Sequence, residues 1–174
     1  MENTVIRSLC ERRSVRKFQS RQVDEATLKE ILRAGTFAAT GMNRQAPLIV
    51  VIQDPEVRET LRKMNAQIMG TPDAAPFYGA PTILLVLSDP EVRTHVEDGA
   101  LVLGNLMNAA HALEVDSCWI HRAREEFASE EGKRLLAEWG IDARYVGIGH
   151  LAIGYRDCPY PEARPRKENY IVRV

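Results

Sequence analysis

The sequence predicts a layered α/β or α+β domain, and three observations predict it. Short apolar, β-branched runs at 47–53 and 81–88 read as strands. Around them lie amphipathic helical stretches, one opening at Asp24 and one over 55–69. A long segment, 97–115, is apolar nearly all round, the pattern of a buried helix. Strands interleaved with helices require layers that share one core.

Each element rests on local chemistry. The helix at Asp24 opens on a side chain able to accept backbone N–H bonds, and Val23 can staple against Leu28. Leu28, Ile31, Leu32 and Ala34 then recur at helical spacing. The strings IVVIQDPEVR (49–58) and LLVLSDPEVR (84–93) echo each other. Asp54 and Asp89 suit a helix cap, and Pro55 and Pro90 suit the first helical position. Each echo is therefore expected to turn a strand into a helix. In 97–115, Leu101, Leu103, Leu106, Met107, Ala110 and Leu113 occupy several faces. Gly104 and Ala109 permit close helix contact, so this is either the central helix of the protomer or a dimer core. A short strand is expected at 117–120, two helical stretches at about 122–139, and a buried strand at 145–155. The tail carries Pro159, Pro161 and Pro165, so it should run extended over the surface and end in a strand-like NYIVRV.

Composition narrows the function classes. A length of 174 residues suits one domain with one sizeable core. Apolar residues at 45% and charged residues at 27% are ordinary for globular chains. A formal net charge of -1 argues against a dedicated nucleic-acid or anionic-membrane binder. No apolar run has bilayer length, and MENTVIRSLCERR lacks the features of a secretory signal. Cys10, Cys118 and Cys158 form no CxxC pair, which points to a reducing, cytoplasmic setting. Cys118 reads as a small core hydrophobe.

Three clusters carry chemistry. ERRSVRKF places Arg12, Arg13, Ser14 and Arg16 within five positions, and guanidinium groups bind phosphate in bidentate fashion. In an extended segment Ser14 and Arg16 project to one side; the alternative is a solvated basic turn. Arg164, Arg166 and Lys167 form a second basic cluster beside stiffening prolines, and the two clusters could converge on one small anion. The loop ATGMNRQAP (39–47) offers the side-chain amides of Asn43 and Gln45, which donate and accept together and suit a heterocycle edge. Neither GxGxxG nor GxxxxGK[ST] occurs. His95, His111, His121 and His150 have no metal-ligand spacing, and no Ser-His-Asp pattern or nucleophile elbow is present. His111 reads as a satisfied core histidine, whereas His121 comes after a buried strand at its open end. The acidic run Glu125, Glu126, Glu130 and Glu131 reads as a solvated helical face.

Taken in order, these segments resemble the nitroreductase family of flavin mononucleotide (FMN)-dependent oxidoreductases. Its R-R-S-x-R-x-F is Arg12-Arg13-Ser14-Val15-Arg16-Lys17-Phe18. Its small-residue loop ending N-x-Q-P is Asn43-Arg44-Gln45-Ala46-Pro47, with one residue inserted. Its F-x-x-A-P is Phe77-Tyr78-Gly79-Ala80-Pro81. Its D-x-x-L…N-x-x-x-A-A-x-x-L helix leading into S-C-W-I runs from Asp98 to Ile120, and its C-terminal P-R-K is Pro165-Arg166-Lys167. The family's W-I-G is here Trp119-Ile120-His121, and 174 residues is short for the family.

The resemblance implies an α+β, three-layer α/β/α domain with a central, mainly antiparallel sheet, a long buried helix and an extended C-terminal arm. Residues 1–174 would form one FMN-binding domain. It implies that Arg12, Ser14 and Arg16 hold the FMN phosphate and ribityl chain, with Arg13 nearby. Arg166 and Lys167, with Arg164, would close on the same phosphate. Thr40, Gly41, Asn43 and Gln45 would come from the partner of a homodimer and meet the isoalloxazine. The turn after Ile120, at His121 and Arg122, would offer a backbone N–H to flavin N5. The implied reaction passes electrons from NADH or NADPH through FMN to a small acceptor such as a nitroaromatic or quinone. The alternatives are a flavin-binding storage or sensor module without turnover, or a related flavin reaction such as dehalogenation or flavin fragmentation.

Overall fold

The computed structural model describes residues 3–174. The chain opens with α1, Thr4–Glu11, a helix the sequence pattern did not announce. The Asn3 side chain caps it, accepting from Val5 N at 2.9 Å and Ile6 N at 3.2 Å. None of its residues is buried, so its apolar face makes no core. Next comes α2, Glu25–Thr36, capped by Asp24, which accepts from Thr27 N at 2.9 Å. Val23 and Leu28 are both buried in one cluster, as a staple requires. Strand β1, Pro47–Ile52, leads into α3, Pro55–Ile68, with Asp54 as cap and Pro55 in the first turn.

The second echo behaves differently. After β2, Thr82–Ser88, Asp89 accepts from Glu91 N at 3.0 Å and closes a turn, so Pro90 starts no helix. Helix α4, His95–Ala112, begins only after that turn. An Asx turn and an N-cap use the same carboxylate contact, so Asp-Pro-Glu-Val-Arg alone does not separate them. Strand β3, Asp116–Ile120, is succeeded by α5, Ala123–Ala128, and α6, Glu130–Glu138. Strand β4, Val146–Gly154, completes the elements. The closing NYIVRV is not a strand; Tyr170, Ile171, Val172 and Val174 are exposed and make no strand pairing with the described residues.

The four strands form one antiparallel sheet in the order β1-β2-β4-β3. All seven residues of β2 are buried, which explains its unbroken apolar run. Along β2 the side chains alternate between two cores. Ile83, Leu85 and Leu87 join Leu61, Phe127 and Leu136 on the face covered by α3, α5 and α6. Leu84 and Val86 join Ile31, Leu103 and Leu106 on the face covered by α2 and α4. The result is a three-layer α/β/α arrangement. Helix α4 is not sealed all round: Val102, Leu103, Leu106 and Ala110 are buried, but Val96 and Leu101 stand in solvent. Among the described residues, no helix is long and apolar enough to cross a membrane.

Two glycines seat α5. A Cβ on Gly147 would collide with the Ala123 carbonyl oxygen, and one on Gly132 with the Glu126 carbonyl oxygen. Both obstacles are backbone, so neither can swing aside. Gly147→Ala is expected to lower unfolding stability by about 1–3 kcal/mol through overpacking, read as a lower urea midpoint.

Candidate functional site

The arginine segment lies against the outer edge of β3. Val15 has 0% exposure and its N–H donates to the Ser117 carbonyl at 3.0 Å. Ser14 pairs with Ser117 in a parallel bridge. With Val15 locked into the core, Ser14 and Arg16 fall on the opposite side of the extended segment. Among the described residues Arg12 Nη1, Arg13 Nε and the nearby Ser117 Oγ are buried without a hydrogen-bond partner. Among the described residues no carboxylate pairs with Arg12, Arg13 or Arg16. Burial pushes the Cys118 thiol up, while Arg16, Ser14 and Arg12 pull it the other way, so these three groups converge beside Cys118. Arg13 differs. Its Nη1 donates to the Cys10 and Arg12 carbonyls at 2.6 and 2.8 Å, so this guanidinium braces the chain.

Tyr160 clamps this segment, a role the sequence did not signal. Its hydroxyl accepts from Arg13 N at 2.9 Å, donates to the Glu11 carbonyl at 3.0 Å, and lies 3.3 Å from His111 Nδ1. The His111 and Tyr160 rings stack 6.1 Å apart. Burial lowers the His111 pKa, and the Arg12 charge lowers it further, outweighing the opposing pull of Asp116. A lowered folded-state value means that the unfolded chain binds more protons between the two values. The stability from neutral His111 is therefore present above about pH 6.5, the unfolded value, and lost as pH falls below it. His111→Asn is expected to flatten the fall in melting temperature between about pH 7 and pH 5.

Four residues beyond Ser117, the same edge ends at a turn. At a rise of about 3.3 Å per residue, Ser117 and His121 are about 13 Å apart along the strand. His121 is exposed, and Arg122 adopts a left-handed conformation with φ 80°. Among the described residues, neither of their backbone N–H groups has an acceptor. The turn borders a recess of about 360 Å³ whose walls include Met69, Tyr78, Trp119 and Ile120. Arg122 Nε donates to Asn65 Oδ1 at 3.0 Å.

Behind the turn, Glu126 corrects the expectation drawn from sequence. It has 0% exposure and is no part of a solvated face. It accepts from His150 Nε2 at 2.9 Å and from Asn65 Nδ2. The signal that could have found it is helical spacing: Glu126 shares a face with Ala123 and Phe127, both in the core.

The other predicted residues are not brought to this edge. The loop holding Thr40, Gly41, Asn43 and Gln45 enters β1 at Pro47, which pairs with Ser88 at the far end of the sheet. Ser117 pairs with Ile153, which pairs with Thr82 at the near end. The loop and the arginine segment thus sit at diagonally opposite corners, three strand steps of about 4.8 Å apart as well. Gly41 N donates to Asp98 Oδ1 at 2.9 Å, and Gln45 Nε2 to Asn43 Oδ1 at 3.2 Å. Met42, Asn43 and Gln45 all have positive φ. Arg164, Arg166 and Lys167 are exposed on the arm beyond Tyr160. Arg166 donates to the Arg164 carbonyl at 2.9 Å, and Lys167 lies 5.3 Å from the Tyr170 ring centre.

Comparison with known proteins gives this geometry a context. The Nitroreductase family profile matches residues 9–155, from the arginine segment through β4. A protein of Archaeoglobus fulgidus, provisionally named an NADH dehydrogenase/NAD(P)H nitroreductase, is 27% identical over 155 residues, covering 83% of this chain and 80% of that one. A crystal structure of a nitroreductase with bound FMN from Bacteroides fragilis superposes with a TM-score of 0.91 at 24% identity, covering 99% of this chain and 100% of that one. A second, from Desulfitobacterium hafniense and also with bound FMN, gives 0.88 at 23% identity over the whole of both chains. With a family match that spans every strand of the sheet and the edge carrying the candidate site, the chain belongs to the nitroreductase family.

Proposed function

We propose that the chain is an FMN-dependent NAD(P)H oxidoreductase, acting as one domain per protomer of a homodimer and reducing a small acceptor such as a nitroaromatic or quinone. The observation that carries this reading is the β3 edge. Uncompensated cations and a serine lie at one end of it, and an N–H-bearing turn beside a recess lies at the other. The fit to FMN rests on this chain's own atoms. Arg12 Nη1 is a buried donor without a partner, and a phosphate would satisfy it. Arg12, Ser14 and Arg16 would hold the phosphate and ribityl chain, and Ile120, His121 and Arg122 would border the ring.

Bound FMN would supply two-electron transfer between nicotinamide and acceptor. The chain's residues bind, orient and shield. Arg16, exposed and without a carboxylate partner among the described residues, would contribute positive charge toward a bound flavin and favour its reduced anionic form. The free N–H groups at His121 and Arg122 would donate to the ring edge. Trp119 and Tyr78 would limit water in the recess.

Three features support the dimer. Thr40, Gly41, Asn43 and Gln45 lie too far from the same chain's arginines to share one FMN, so a second copy would have to bring them. Leu101 on α4 and Val5, Ile6 and Leu9 on α1 are exposed apolar side chains. A Cβ on Gly104 would meet nothing within 4 Å in this chain, leaving a flat place for a partner helix. The basic residues Arg164, Arg166 and Lys167, on an arm rooted beside Arg13, would then close over a phosphate.

Anaerobic mixing of the FMN-loaded protein with NADH and with NADPH tests the proposal. Loss of the yellow oxidised absorbance with either nicotinamide is expected. A flavin that binds but stays yellow with both would instead identify a storage or sensor module. A protein that takes up no FMN would refute both.

A further inference from the structure

Asn65, Glu126 and His150 each have 0% exposure, and they meet between α3, α5 and β4. Aromatic rings enclose them: the Phe77 ring lies 5.2 Å from His150, edge-on, and the Phe127 ring 6.3 Å away. Apolar side chains of similar volume would fill such a space at least as stably, so the polar set calls for another reason. The hydrogen-bond directions supply it. Glu126 accepts at both oxygens, one from His150 Nε2 at 2.9 Å and the other from Asn65 Nδ2. Asn65 Nδ2 also donates to the His121 carbonyl at 2.9 Å, and Asn65 Oδ1 accepts from Arg122 Nε at 3.0 Å. An amide has two donor hydrogens, and both are used. Flipping it would set its oxygen against a carboxylate and a carbonyl, so only one orientation is compatible with Glu126.

The chain of contacts ends on the turn that borders the recess. There Arg122 holds φ 80°, a conformation that L residues adopt reluctantly and that surrounding structure must enforce. The Asn65 amide grips this turn at two points, the carbonyl before Arg122 and the Arg122 side chain. Fixing that carbonyl fixes the peptide plane, and with it the direction of the Arg122 N–H.

We propose that Glu126 is a positioning residue. Braced by His150 and acting through Asn65, it sets the orientation of the His121–Arg122 peptide, and so the balance between oxidised and reduced flavin affinity. The second half rests on the FMN reading above; the first does not. Glu126 touches neither ligand nor reacting atoms.

The test uses the full chain with Asn65→Leu and Glu126→Gln, and with exposed Glu125→Gln as the control. Glu126→Gln keeps the shape and guards against outright misfolding. In protein without flavin, ¹⁵N relaxation should show the Arg122 amide falling from about 0.85 in order parameter to below about 0.6 in both variants. Amides of β2 and β4 should be unchanged. In FMN-loaded protein, the ratio of reduced to oxidised flavin affinity should shift at least tenfold, about 30 mV in midpoint potential. An Arg122 amide as rigid as in the parent, or a loosening shared equally by β2 and β4, overturns the proposal. An unchanged potential with a loosened turn also overturns it. A parent protein that takes up no FMN refutes the functional reading instead, and the relaxation data still decide whether Glu126 positions the turn.

Discussion

Replacing Arg12 and Arg16 together by alanine is expected to weaken FMN binding at least a hundredfold. Neither cation has a carboxylate partner among the described residues, and Arg12 Nη1 is buried without an acceptor. A hydrogen bond to a charged group contributes about 1.5–3 kcal/mol, so two together contribute about 3 kcal/mol or more. At about 1.4 kcal/mol per tenfold, that is a factor of a hundred or more. Fluorescence titration of FMN with the flavin-free protein reads the loss directly. The apoprotein should fold as well as its parent, because removing an unpaired cation relieves a buried orphan. Arg13→Ala should behave differently. Arg13 holds the Cys10 and Arg12 carbonyls, so it acts through the shape of the segment, and its loss should lower melting temperature as well as affinity. An Arg12/Arg16 double variant that binds FMN as tightly as the parent would remove the phosphate cradle from the β3 edge.

If the full chain dimerises as proposed, ending it at Tyr160 is expected to give a monomer at concentrations where the full chain pairs. Residues beyond Tyr160 make few contacts with their own body, yet Ile171, Val172 and Val174 are apolar and exposed. Burying such a side chain fully contributes about 1.5–3 kcal/mol, so three on each arm are worth about 5 kcal/mol or more before association costs. Twofold symmetry applies the loss twice. The dimer constant should therefore weaken more than a hundredfold, measured by sedimentation equilibrium. FMN should leave as well, because Arg164, Arg166 and Lys167 go with the arm. Tyr160 stays, so the clamp on Arg13 and Glu11 is intact and the protomer should keep its melting behaviour. A truncated chain that sediments as a dimer and retains FMN would sink the arm's role.

Much of the architecture is readable from local chemistry. Asp24 and Asp54 announce their helices because an N-cap carboxylate contacts only residues two or three positions away. The unbroken apolar run of β2 announces burial on both faces. Asp89-Pro90 misleads because its carboxylate contact is shared by a turn and a cap, and the residues after Glu91 decide between them. Helix α1 escapes notice because its apolar face, Val5, Ile6 and Leu9, has no core to fill within the chain. The closing NYIVRV has strand chemistry, but a strand needs a neighbour, and the tail finds none among the described residues.

The site divides in the same way. Sequence alone determined the chemistry of the β3 edge, because Arg12, Ser14 and Arg16 are close in the chain and an extended segment fixes which of them share a side. It also determined that a turn comes after Ile120. Tertiary structure decided which charges are free. Arg13 is engaged by two carbonyls through Nη1 and leaves only its Nε buried and unpaired, whereas the Arg12 guanidinium makes no hydrogen bond among the described residues. It decided that the loop at 40–45 and the arginines lie at opposite corners of one sheet, a consequence of strand order that no motif encodes. It decided, too, that Glu126 is enclosed and joined to His150 and to Asn65, 24 and 61 residues away. Burial is a property of what packs around a residue, and those neighbours come from three elements that meet only when the chain folds.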